Sequence, residues 1–487
     1  MSIVSWYFPF FIACFFCAYF IVPKKYQWYL LLAGNLVFYL FAGIKSFVIA
    51  LASAFFAYLA ALKLENDRKN DANKKGNVLL CSAVIVILIA WWLFLKFMGS
   101  SFGLVMPLGI SFYTLNLIAY LSDVHRLKYP AERNPLRFLT YILYFPQIIQ
   151  GPFTRYPAMK EQLFAEHHFS YERFTEGSLR ALYGLTIKKL IIADSLAVIV
   201  NRCLSSYSTY TGGTIFLCLI LYSIELYADF SGYMDIVNGV SHVLGIEMPE
   251  NFTRPYFSFS LEEFWRRWHI TLGGWFREYV FFPLSMNKKV QKLSKSVRKK
   301  YGSKLGKLIA ADIALFFVWT ATGLWHDFSW SYLLWGYLNM IVIMGSMHLE
   351  DRYKAIREKL HLDEKNIAFR LFRIVRTFLL VCLIRIPAIA GDLKKAIALF
   401  KQLSCFKGEG AGSLFSETGG ISLIILAVAI LIMFIIDILE EKEKWQEAKG
   451  RCPVLVKDLA VSLMIICFIL FVGGDNDLLG GFMYARF

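Results

Sequence analysis

The apolar residues of this 487-residue chain gather in long runs separated by short polar stretches. A helix needs about 20 mostly apolar residues to cross a bilayer. Runs of that order lie near 3–22, 27–43, 46–62, 78–98, 104–121, 179–200, 213–228, 308–325, 331–348, 368–389, 420–438 and 454–473. Shorter apolar pieces near 135–150, 232–246 and 264–284 carry Pro146, Gly151, Pro152, Gly232, Gly273 and Gly274, which interrupt helices. Broken helices at membrane depth are tolerated only where they are buried in protein or line a cavity. The pattern predicts an all-α polytopic membrane protein with about 11–12 transmembrane helices plus re-entrant or interfacial helices around an internal chamber. The first run has no basic leader and no small-residue cleavage site, so it reads as a retained helix.

Composition agrees: 57% of residues are hydrophobic and 18% charged, where soluble domains carry about 45–50% and about 25%. The net charge of +16 does not imply nucleic acid, because the basic residues cluster in short loops, as the positive-inside rule predicts. Lys24-Lys25, then Lys63 to Lys75, then His125 to Arg137 follow alternate segments, while 99–103 carries no charge. This places both termini outside a plasma membrane. The run 286–307 holds nine Lys or Arg and no acid. It should be cytoplasmic, where it could rest on anionic membrane lipid or dock an acidic carrier. Cys14 and Cys17 form a C-x-x-C, but inside an apolar helix, and the other cysteines are scattered. Neither a disulfide framework nor a metal site is implied, and no phosphate-binding glycine motif is present.

Ionisable residues inside such runs are expensive unless they face a partner or a cavity. His326 ends the run Phe316 to Trp325, and His269 sits within Glu262-Glu263-Phe264-Trp265-Arg266-Arg267-Trp268-His269. The topology puts His326 toward the far side and His269 nearer the cytoplasm. Further polar clusters are Tyr144 to Tyr156, Glu225 to Asp235, Asn251 to Tyr256 and Trp275 to Tyr279. Glu225 and Asp229 are four apart and share a helix face. Each cluster alone has a plainer reading. Trp265, Trp268 and Trp275 suit an interfacial aromatic belt, Glu263 could pair with Arg277, and His269 could be a packing residue.

Together, NFTRPYFSFSLEEFWRRWHITLGGWFREYV and TGLWHDFSWSYLLWG resemble the membrane-bound O-acyltransferase family, in its bacterial branch of alginate O-acetylation and teichoic-acid D-alanylation proteins. The resemblance extends from PLGISFYTLNLIAYLSDVHR to the tail GGFMYARF, with core motifs in 104–350 of one domain spanning 1–487. It implies a ring of helices around a thin centre pierced by a tunnel. It makes His326 the catalytic histidine and sets His269 on the donor side. Asp229, Tyr233, Asn251, Glu263, Trp265, Arg267, Arg277 and Trp325 would support the tunnel. The reaction implied carries an acyl group, here read as acetyl, from a cytoplasmic acyl-CoA or acyl-carrier thioester to an extracytoplasmic hydroxyl. That hydroxyl belongs to a polysaccharide or to an SGNH-type partner acyltransferase. No bound cofactor is implied. Two departures stand out: Asp327 after His326, where it could orient the ring or cap a helix, and VFFPLSMNKK in place of a glycine-rich stretch. D-alanyl transfer is the alternative within the family. A proton-coupled transporter using Glu225, Asp229, Asp235 and His326 is the alternative outside it.

Neutral His326 could take the proton of the acceptor hydroxyl as it attacks the thioester carbonyl, with Tyr233, Trp325 and Arg277 as candidate donors to the developing oxyanion. The external tail 474–487 ends Phe482-Met483-Tyr484-Ala485-Arg486-Phe487. It is either an interfacial aromatic anchor or an acyl relay through Tyr484. A phenol ionises near pH 10, so a relay would need a base such as His326. Tyr484→Phe keeps the ring and removes the hydroxyl. The relay predicts loss of acyl export in that variant, and export at the wild-type level leaves the anchor reading.

Overall fold

The computed structural model describes residues 7–69, 74–98, 102, 106–416, 418–444 and 454–472. These residues are 80% helical and contain no strand. Each of the twelve long apolar runs contains a helix among the described residues, from Tyr7–Ile21 and Gln27–Phe41 to Gly420–Glu441 and Val454–Val472. By length and composition, five of the described helices can cross a membrane: Ile44–Lys69, Gly76–Phe97, Gly212–Val243, Ser303–His326 and Gly420–Glu441. A sixth results if Trp330–His348 and Glu350–Lys359, bent by 61°, form one span. Helices such as Tyr7–Ile21 and Gln27–Phe41, at 15 residues each, reach only about 22 Å, short of the ~30 Å hydrocarbon core. Such short helices account for part of the difference between the eleven or twelve spans expected and the five or six helices long and apolar enough to cross. Ile424, Leu431, Val86 and Ile465 are exposed, as suits residues facing lipid.

The chain forms two compact units. The described residues of Met1–Ile187, Phe230–Glu250 and Lys457–Phe487 make one; Lys188–Asp229 and Asn251–Val456 make the other.

In the first unit, the interrupted stretch near 135–150 behaves as the pattern predicts. It starts as a helix, Pro135–Ile142, capped by Asn134, whose side chain accepts from the Leu136 and Arg137 amides. Turns follow. Asn35 anchors them, donating to the Thr140 carbonyl at 3.2 Å and accepting from the Phe145 amide at 2.9 Å. Thr154 donates to Gln147 at 3.1 Å, and Tyr141 donates to the Thr154 carbonyl at 2.9 Å. Side chains thus supply what the broken helix loses, as buried backbone requires. Gly109 has φ +69°, and a Cβ there would lie 2.0 Å from the Ile148 carbonyl oxygen.

The expectation of a separate piece at 232–246 is wrong. Gly212–Val243 is one 32-residue helix, and Gly232 does not break it. An internal glycine costs a helix only about 1 kcal/mol, too little to break one this long. The helix Tyr171–Tyr183, at Gly177, and Gly184 just after it lie against this stretch. A Cβ on Gly184 would sit 2.4 Å from the Gly232 carbonyl. One on Gly177 would sit 2.5 Å from that of Gly239, and one on Gly239 2.4 Å from that of Gly177. Close backbone approach through small residues is how helices associate in lipid, where hydrophobic burial gives no drive.

The piece near 264–284 is broken, but not at Gly273-Gly274, which lie inside the helix Ile270–Phe276. The break falls at Trp268-His269, for a long-range reason given below. The helix then widens to π geometry over Arg277–Phe281.

The glycine contact gives a test. Gly239→Ala should cost about 1–3 kcal/mol by overpacking, read as a lower melting temperature in detergent. Gly213→Ala, on the same helix with nothing within 4 Å, should not lower it. Equal shifts would contradict the packing described.

Candidate active site

His326 is the last residue of Ser303–His326, and a tight hairpin fixes where it lies. A Cβ on Gly323 would fall 2.8 Å from the Tyr332 carbonyl, and one on Gly336 2.7 Å from that of Trp319. The two glycines therefore let this helix and Trp330–His348 meet backbone to backbone. Ser329 caps the second helix, accepting from the Tyr332 amide. Asp327 does not cap it; its own amide closes the first helix on the Gly323 carbonyl. The His326 ring is buried among aromatic rings. Trp325 is 4.8 Å away and Trp335 5.2 Å, both edge to face, and Tyr332 stacks at 5.9 Å.

His269 reaches the same cluster from another segment. Its ring centroid is 6.2 Å from that of Trp325, so the two histidines share one tryptophan. The backbone at His269 is left-handed, φ +48°, as it is at Arg254, φ +50°. Residues with a Cβ occupy this region at a cost, and such strain persists only where the surroundings enforce it. Here a short antiparallel bridge joins Phe252 to Trp268. The Thr253 amide donates to the Arg267 carbonyl and the Ile270 amide to the Asn251 carbonyl, both at 3.0 Å. This pairing pulls the chain out of the helix Leu261–Arg267.

Asn251 organises the turn. Its Oδ1 accepts from the Thr271 amide at 3.0 Å and the Thr271 hydroxyl at 2.9 Å, and it lies 3.2 Å from His269 Nδ1. An atom that accepts from a backbone amide must be the oxygen, so His269 Nδ1 carries the proton. In the neutral ring the lone pair is then on Nε2.

Trp265 extends the aromatic wall, 5.1 Å from Trp319 and 5.6 Å from Trp335. Its indole donates to Asn339 at 2.9 Å, and Asn339 donates back to the Trp335 carbonyl at 2.8 Å. Glu263 pairs with Arg267 at 2.7 Å rather than with Arg277, which is exposed. Its second oxygen accepts from the Phe259 amide at 2.8 Å while Ser260 caps the Glu263 amide, a variant of the capping box. Arg267 also meets Glu441.

Asp229 belongs to a buried ion cluster: Lys189 donates to it and pairs with Asp194, each at 2.9 Å. Glu225 is buried one turn away on the same helix. Tyr233 lies in the first unit, fully buried. Tyr484 lies outside the described residues.

The structure thus brings together His326, His269, Trp325, Asn251 and Trp265, and joins Glu263 to Arg267. Sequence reasoning missed Lys189, Asn339, Arg385 and Glu441. Arg385 is buried, with its guanidinium 4.6 Å from the Trp268 ring and a hydrogen bond to the Tyr256 hydroxyl at 3.0 Å. Lys189 and Arg385 lie within predicted apolar runs, so the rule that singled out the histidines could have found them.

Residues 130–384 match the model of the membrane-bound O-acyltransferase family. The chain is 31% identical over 386 residues to a protein named "Probable alginate O-acetylase AlgI" of Azotobacter vinelandii, covering 76% of this chain and 71% of that one. It is 28% identical over 424 residues to a peptidoglycan O-acetyltransferase of Helicobacter pylori, covering 80% and 75%. It is 29% identical over 247 residues to a teichoic acid D-alanyltransferase of Bacillus subtilis, covering 50% and 59%. With motif residues Asn251 to His269 and Thr322 to His326 both inside the matched region, the chain belongs to the membrane-bound O-acyltransferase family and is a multi-pass membrane O-acyltransferase.

Proposed function

We propose that this enzyme moves an acetyl group from a cytoplasmic thioester, acetyl-CoA or an acyl carrier, to a hydroxyl of an extracytoplasmic polysaccharide or of a partner acyltransferase. The observation that carries the reading is the pair of buried histidines on one tryptophan, inside a chain similar over three quarters of its length to alginate and peptidoglycan O-acetylating proteins. D-alanyl transfer is the less favoured reading, since similarity to the D-alanyltransferase covers only half of the chain.

The chemistry follows from the rings. Neutral His326 accepts the proton of the acceptor hydroxyl as its oxygen attacks the thioester carbonyl. The tetrahedral intermediate collapses, the carbon–sulfur bond breaks, and the thiolate leaves and is protonated by His326. No net proton is taken up. His269, oriented by Asn251, stands on the donor side, where its Nε2 can hold or pass a proton near the sulfur. The aromatic walls exclude water, which would otherwise hydrolyse the thioester. Carrying a whole donor across the membrane would be prohibitive, so each substrate enters from its own face. The helix Lys288–Tyr301, exposed and without an acidic residue, suits the phosphates or acidic surface of a cytoplasmic donor. Tyr484 is the candidate relay to the partner.

His326→Ala should lower acyl transfer by about two to four orders of magnitude, as loss of a general base does, with the protein at normal abundance in the membrane. Wild-type transfer in that variant would remove the mechanism.

A further inference from the structure

The two arginines that flank the strained turn are held by one carboxylate from outside the matched region. Glu441 ends the helix Gly420–Glu441, well beyond residue 384. Its Oε2 accepts from Arg254 Nε at 2.9 Å and from Arg267 Nη1 at 2.8 Å, and its Oε1 accepts from Arg267 Nη2 at 3.2 Å. Two-point arginine–carboxylate bonding is strong and directional. Arg254 and Arg267 stand on opposite sides of the Phe252–Trp268 bridge. Each is next to, or itself, a motif residue under constraint: Arg254 has the left-handed backbone, and Arg267 is two residues before the left-handed His269.

Local bonds do not do the same work. Glu263 also holds Arg267, but from one turn earlier on the same helix, so it cannot tie that helix to the Asn251–Arg254 segment. Glu440 approaches Arg254 at 3.7 Å, a looser contact. Glu441 bonds both arginines. The side chains involved are mostly buried, 19% exposed for Arg267 and 28% for Glu441, so the network is not a fully solvated surface pair of the kind that contributes little.

We propose that Glu441 is a positioning residue for His269, holding the bridge closed so that the left-handed turn aims the imidazole at the reaction centre. This rests on the reading of His269 as part of that centre. A ring attached to a strained turn drifts when one side of the turn is released, and misplacement of a catalytic group by about 1 Å can cost a hundredfold in rate.

The test uses the purified full chain. Glu441→Gln keeps the shape and removes the charge; Glu441→Asp keeps the charge on a shorter arm. Glu441→Gln should lower kcat about tenfold or more, with donor KM within about twofold and a fall in melting temperature too small to account for the loss, and Glu441→Asp should recover part of the loss. In a His269→Gln background, Glu441→Gln should slow the reaction no further. Wild-type kcat in Glu441→Gln overturns the proposal, as does additivity with His269→Gln. A loss of kcat that tracks a lower melting temperature and is not recovered by Glu441→Asp also overturns it. Wild-type activity in His269→Gln would instead sink the reading of His269, whatever Glu441 does.

Discussion

At membrane depth there is no water to satisfy a backbone group or a charge, and the architecture of this protein follows from that. At the two breaks near the polar clusters, named groups replace bonds the helix loses. Asn35, and Gln147 through its bond to the Tyr141 carbonyl, do so around the turns after Ile142. Asn251 and the Phe252–Trp268 bridge do so at His269. Charges obey the same constraint. Lys189 is neutralised by Asp194 and Asp229, and Arg385 is wrapped by the rings of Trp268, Phe264 and Tyr256. Because breaks and charges are so costly, each one that persists is tied to its place. A histidine at such a break is therefore held in a defined orientation before any substrate arrives.

The helices were legible because long apolar runs are a strong signal, and each predicted run contains a helix among the described residues. Their interruptions were less so. Gly232 looks like a breaker locally, yet its helix continues through it, because one internal glycine costs too little to end a 32-residue helix. The break at His269 is invisible to any short window, since it is caused by pairing with residues near Asn251. Short helices such as Gln27–Phe41 read as full spans because hydropathy reports apolarity more reliably than length.

At the site, the expense of a buried ionisable group pointed to His326 and His269, and the structure gathers them on Trp325. The expected Glu263–Arg277 pair fails because Arg267, one turn along the same helix, is nearer. Glu441 had no local signal. It lies in a mixed-charge stretch that reads as ordinary surface, and its importance arises only when a distant helix end meets two motif arginines. Sequence patterns mark residues that are out of place in their own segment; they do not mark a residue whose partners come from elsewhere.

The central claim is that this chain performs acyl transfer between a thioester and a hydroxyl, and thiol release tests it most directly. Purified protein would be mixed with acetyl-CoA and a soluble saccharide acceptor, and free thiol and ester would be followed together. The account predicts that thiol appears one for one with ester, with no change in the proton balance of the medium. An intact thioester, accompanied by proton movement across a reconstituted membrane, would contradict it and return the chain to the transporter class.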